Sequence, residues 1–231
     1  MTGLAAVAWW DLLRDEGMCA AISAPWRLVD LRRAIVMWSV MMVAMMVPSA
    51  VPMTLLYARI QRQRRLAGQV ATPATLFVAG YVIVWTAWSV GAAALQWALQ
   101  SLLLMTHELV LPSGALAGLF LVVAGLYQLT PWKSRCLVHC QSPIGFFVTR
   151  WRDGWKGALD MGIHHGAYCV GCCWALMGLL FVVGVMNLAW VAGLTAYVVL
   201  EKIVPVRRWS VASRAVGVAL VGWGLAMTLA A

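Results

Sequence analysis

Six methionines fall between residues 37 and 53, at Met37, Met41, Met42, Met45, Met46 and Met53. At about 100° per residue, all six project from one half of a helix. Thioethers are soft, polarisable and uncharged, so a row of them can hold Cu(I) and still sit in hydrocarbon. Met41, Met42, Met45 and Met46 are the candidate ligands, and Pro48 just beyond them predicts a kink that frees a backbone carbonyl. A second group is Met161, His164, His165, Cys169, Cys172 and Cys173. With His165 at zero on a helical wheel, Cys169 falls near about +40°, Cys172 about −20°, Met161 about −40° and Cys173 about +80°. One face thus offers an imidazole, thiols and a thioether, a set for two- or three-coordinate Cu(I), or for Zn(II) if four ligands close. Asp160 is placed to support His164 from behind or to cap the helix. The third group, Cys136, His139 and Cys140, shares a face at i, i+3 and i+4 if its segment is helical.

Positioning these groups requires helices in a membrane. Hydrophobic residues make up 63% of the 231 and charged residues only 11%, against about 25% for a soluble domain. Apolar runs predict an all-α bundle of about six transmembrane helices near residues 34–58, 74–99, 114–130, 157–184, 187–204 and 211–230. The fourth and fifth divide at Gly184 to Asn187, where Asn favours a turn. Residues 1–33, with Trp9, Trp10 and Trp26 beside Asp11, Asp15 and Glu16, suit a short interfacial segment. No positive charge precedes the apolar run ending at Leu13, so no removable signal peptide is expected. Residues 34–231 form the membrane domain.

Basic residues set sidedness. Arg59, Arg62, Arg64 and Arg65 follow the first run, none follows the second, and Lys133, Arg135, Arg150, Arg152 and Lys156 follow the third. Lys202, Arg207 and Arg208 complete an alternation that puts the Cys136/Cys140 loop in the cytoplasm and both termini outside. On that reading Met42 to Met46 and Cys169 to Cys173 share a mid-membrane level. Met161 and His165 then lie between them and the Cys136/Cys140 loop, in the order of a ligand-exchange path. Glu201 and Lys202 read as an interfacial ion pair, His107 and Glu108 as a polar outer turn, and Tyr127 and Gln128 as interhelical hydrogen-bonding groups.

Three stretches carry a resemblance: Ala44-Met45-Met46-Val47-Pro48; Tyr127 to Pro131 with Lys133 and Cys136 to Cys140; and His165 to Met177 with its three cysteines. Met186 to Trp190 and Glu201-Lys202 extend it. Through them the chain resembles a bacterial family of uncharacterised, predicted metal-binding integral membrane proteins, a domain-of-unknown-function family. The resemblance implies metal binding at a multi-pass protein of the bacterial inner membrane and names neither ion nor direction.

The ligand chemistry selects copper. It points to Cu(I) transport, delivery or homeostasis, alone or with a soluble metal-binding protein as partner, in a monomer or an oligomer, and to binding rather than catalysis. A thiol-disulfide oxidoreductase built on Cys169 and Cys172 is the main alternative, although methionines have no part in thiol exchange. A haem-binding or accessory subunit using the histidines is a further one. The net charge of +9 lies in short clusters between apolar runs, which orient a membrane protein and do not form a nucleic-acid patch.

Overall fold

The computed structural model describes residues 2–14, 28–102, 104–105, 111, 113–185, 187–204 and 206–230, with no side-chain description for 2, 4, 11–14, 28 and 206–210. His107, Glu108, Asp15, Glu16 and Trp26 lie outside the described residues. Every regular element among the described residues is helical. In chain order they are α1 (Thr2–Arg14), α2 (Leu28–Met46), α3 (Val51–Leu66), α4 (Ala74–Ser101), α5 (Gly114–Leu129), α6 (Pro131–Gln141), α7 (Pro143–Arg150), α8 (Gly154–Gly178), α9 (Leu180–Val183), α10 (Leu188–Ile203) and α11 (Val206–Leu229).

Local chemistry sets the breaks. Ser113 caps α5, accepting from the Leu116 amide. Thr130 caps α6 and accepts from Lys133 N, with Pro131 at the first helical position, where its missing N–H loses nothing. The chain turns by 65° between α5 and α6. Gly184, at φ 93°, ends the α8–α9 stretch, and Asn187 caps α10.

Three helices among the described residues are long and apolar enough to cross a membrane, at Ala74–Ser101, Gly154–Val183 and Val211–Leu229. Two bent pairs, Val29–Met46 with Pro48–Leu66 and Gly114–Leu129 with Pro131–Gln141, raise the number to five if each is one span. The expectation of six is therefore met only in part. α10, with 16 residues, is the shortfall: at 1.5 Å per residue it spans about 24 Å, less than the roughly 30 Å of hydrocarbon. Outward faces carry Ile83, Val90, Leu119, Val123, Val218 and Leu225, exposed apolar side chains suited to lipid. The protein is thus an all-α, multi-pass membrane bundle.

Glycines let the axial helices touch. α4 crosses α8 where Gly80 meets Gly162: a Cβ on Gly80 would lie 2.2 Å from Leu159 O, and one on Gly162 2.0 Å from Phe77 O. α5 and α11 repeat the device twice, Gly118 against Gly224 and Gly125 against Gly217. Close backbone approach at small residues replaces the hydrophobic drive that helices lack inside lipid. α2 and α6 pack on the α4–α8 pair, α1 lies along α2, and α10 touches α2, α6, α8 and α11.

Substituting Gly162→Ala should destabilise the protein by about 2–3 kcal/mol, because the carbonyl it meets belongs to a rigid helix. Gly91→Ala on α4, with nothing within 4 Å of the added carbon, should be neutral or stabilise by up to about 1 kcal/mol. Thermal unfolding in detergent distinguishes the two, and equal midpoints would refute the close crossing.

Candidate metal centre

The centre is built around the interruption at Pro48. Proline has no amide hydrogen, so the carbonyl four residues back, on Ala44, loses its helical donor. The Trp9 indole supplies one from α1, at 3.1 Å. The Ala50 amide turns to Val47 O in a 3-10 turn at Pro48–Ala50, which leaves Met46 O without its usual partner. Two side chains take that carbonyl, Ser49 Oγ at 2.7 Å and Tyr81 Oη of α4 at 3.0 Å. The kink predicted from Pro48 is present, a 41° bend between α2 and the helix that follows.

Tyr81 leads from the break to the cysteines, its hydroxyl 3.0 Å from Cys169 Sγ on α8. One turn further on, the Cys172 and Cys173 thiols donate back to Cys169 O at 3.1 and 2.9 Å. Cys173 Sγ also lies 4.0 Å from Met46 Sδ on α2. Met41, Met42, Met45, Met46, Cys169, Cys172 and Cys173 are all buried in one core with Trp38, Tyr81 and Trp85. The predicted common face of α8 is therefore turned inward, against the methionine helix.

α6 departs from the expected order. Met161 and His165 do not separate its cysteines from those of α8. α6 instead runs beside α8, so that Cys136 Sγ would lie 2.8 Å from a Cβ on Gly171, and Cys140 is buried in the same core as Cys169, Cys172 and Cys173. Cys136 is half-buried at the edge of this group. His139 points away; it is exposed, stacks on Tyr168 at 4.3 Å, and bonds through Nδ1 to Arg135 O. Cys136, Cys140, Cys169, Cys172 and Cys173 are all free thiols.

The two histidines of α8 part company. His164 is partly exposed, with Nδ1 2.9 Å from Asp160 O and 3.4 Å from Asp160 Oδ2, and the same carboxylate pairs with Arg152. His165 is buried between Phe77, Tyr81 and Phe146, and neither ring nitrogen has a hydrogen-bond partner among the described residues. An unpaired buried nitrogen costs about 1–3 kcal/mol. Binding a metal would relieve it. Met161, one turn earlier, is buried in an adjoining cluster with Met53, Tyr57 and Phe77.

Glu201 and Lys202 do not form the ion pair their adjacency suggests. Glu201 turns to Lys133 of α6, 2.5 Å away and equally buried, with Gln128 and Ser213 completing the set. Lys202 turns the other way and places Nζ 2.8 Å from Cys169 Sγ and 2.7 Å from Ser49 Oγ. Neighbours on a helix point about 100° apart, so the two can serve separate networks. Tyr127 and Gln128 do bond across helices, to Gly171 O and to Tyr197 and Lys133. Tyr81, Ser49, Trp9 and Lys202 are neighbours of the candidate centre whose contacts there sequence reasoning missed. Only Lys202, a charge in an apolar run, gave any signal.

No three His, Cys, Asp or Glu side chains among the described residues form a ready coordination group. The donors available are thiols and thioethers together, a composition for a soft, low-coordinate ion rather than a tetrahedral one. Two metal–sulfur bonds of about 2.3 Å span up to about 4.6 Å, so the gap between Cys173 and Met46 is of the size one ion bridges.

Fold and centre together define a polytopic membrane protein with a buried soft-donor core. The chain belongs to the family described as PpoB2, copper chaperone, whose profile matches residues 35–227. This corrects the resemblance drawn from the sequence motifs: the family carries a copper-chaperone description and is not an uncharacterised one. The match covers the bundle from α2 to α11, so the copper-chaperone description attaches to the membrane helices and not to an appended domain. No curated protein and no solved structure matches the chain.

Tyr81→Phe removes the hydroxyl shared by Met46 O and Cys169. It should lower stability by about 1–2 kcal/mol and speed hydrogen exchange at Ser49 to Val51. Unchanged exchange there would show that the break does not depend on Tyr81.

Proposed function

We propose that this protein binds Cu(I) within the membrane and hands it on by ligand exchange. The observation that carries the reading is the meeting of α2 and α8 at Met46 and Cys173, with Cys169, Cys172 and Cys140 buried in the same core. Cu(I) is held there by Cys173 and Met46, and Cys169 or Cys172 supplies a second thiolate. Soft ligands of similar strength in contact with one another let the ion move without leaving sulfur. The half-buried Cys136 is where the ion passes between this group and the cytoplasm, to or from a soluble copper-binding partner. Met41, Met42 and Met45 extend the thioether row along α2. Met161 and His165 continue the face of α8, and the unsatisfied imidazole of His165 is a further stop. His139 and His164 serve at the surface.

In this reading α10 completes six passes in a bacterial inner membrane, with both termini outside. The thiol-disulfide alternative leaves the Met46–Cys173 contact without a role, whereas copper uses both partners.

Changing Cys169, Cys172 and Cys173 together to Ser should weaken Cu(I) binding by at least about 100-fold, and Met46→Leu by about tenfold, near 2.7 and 1.4 kcal/mol. Competition against a Cu(I) chelator, under anaerobic conditions and with the purified full chain, measures both. Wild-type affinity and stoichiometry in the triple variant would sink the reading.

A further inference from the structure

Lys202 is 7% exposed, and no carboxylate lies within ion-pairing distance of it among the described residues. Its chain neighbour Glu201 is committed to Lys133. The polar contacts of Lys202 are Cys169 Sγ at 2.8 Å and Ser49 Oγ at 2.7 Å. A positive charge is thus buried against the very sulfurs that the copper reading uses. Burying an ammonium without a counter-charge is strongly unfavourable, and a structural lysine would ordinarily find a carboxylate, as Lys133 does.

We infer that Lys202 is the counter-ion of the loaded centre and makes it selective for a monovalent metal held by two thiolates. This inference rests on the copper-binding reading above. Ligand cysteines bind as thiolates, their protons leaving to solvent as the metal arrives. Cu(I) with two thiolates, Cys173 and the Cys169 that Lys202 touches, carries a charge of −1, and a neutral Met46 thioether leaves that unchanged. The ammonium beside Cys169 brings the sum to zero. Zn(II) with the same two thiolates is already neutral, so the lysine would leave an uncompensated +1 in a low-dielectric interior. A third thiolate would balance Zn(II) but unbalance Cu(I). The Lys202 charge therefore favours Cu(I) and opposes Zn(II) at one and the same sulfur pair, a discrimination that ligand softness alone supplies less sharply.

The reading also separates charge from hydrogen bonding. Lys202→Gln keeps a donor near Ser49 and Cys169 but removes the charge, Lys202→Met removes both, Lys202→Arg keeps both, and Ser49→Ala removes the neutral partner while leaving the charge. Cu(I) and Zn(II) affinities are measured by chelator competition on the full chain in detergent or nanodiscs, with Cu(I) work anaerobic. The ratio of Cu(I) to Zn(II) affinity should fall at least about tenfold in Lys202→Gln and Lys202→Met, equivalent to 1.4 kcal/mol, through weaker Cu(I) and stronger Zn(II) binding. In Lys202→Arg and Ser49→Ala it should stay within about threefold of wild type. An unchanged ratio in either neutral variant overturns the inference. So does failure of both neutral variants to fold while Lys202→Arg folds, since Lys202 then belongs to the scaffold. A wild-type protein that binds neither ion at the cysteines refutes the copper reading instead, which is a different result.

Discussion

Everything in this structure depends on one interrupted helix. A continuous α2 would satisfy its own carbonyls and present its methionines as ordinary apolar mass. Pro48 prevents that, and the freed carbonyls of Ala44 and Met46 are claimed by Trp9, Ser49 and Tyr81. Each claimant ties a different element to the break. Trp9 brings α1 against α2, Tyr81 brings α4, and through Tyr81 and Ser49 the network reaches Cys169 and Lys202. Unpaired backbone groups are expensive in lipid, so the same requirement that repairs the kink also assembles the sulfur centre.

The polar groups inside the bundle are sorted by charge. Lys133 and Glu201 neutralise one another, joined by Gln128 and Ser213, at the junction of α5, α6, α10 and α11. Gln141 of α6 caps the end of α10 beside them, donating to Glu201 O and Val204 O. That network fixes α10, and fixing α10 sets the direction of Lys202. A buried ion pair is a weak source of stability but a good source of unique geometry. Here it holds a second cation at the thiols.

Some of this was legible in the sequence, for physical reasons. Met161, His165, Cys169, Cys172 and Cys173 stand out because helical periodicity puts ligand-type side chains on one face of an apolar run, and all five are buried. Pro48 and the Gly184–Asn187 turn announce themselves through backbone chemistry. The span count was less legible, since composition identifies an apolar run but not whether it bends, as at Pro48 and Pro131, or falls short, as in α10. The position of Cys140 was hidden because the 65° turn after α5 carries α6 alongside α8. Tyr81 was hidden too, and so were the partners of Lys202: both depend on what faces them across helices, and no local spacing encodes that.

The central claim is that a sulfur centre between α2 and α8 takes copper as Cu(I). X-ray absorption on the wild-type protein loaded anaerobically with one equivalent of Cu(I) tests it most directly. The account predicts a reduced, two- or three-coordinate copper whose first shell is sulfur. A first shell dominated by nitrogen or oxygen, or copper that washes away, would contradict it.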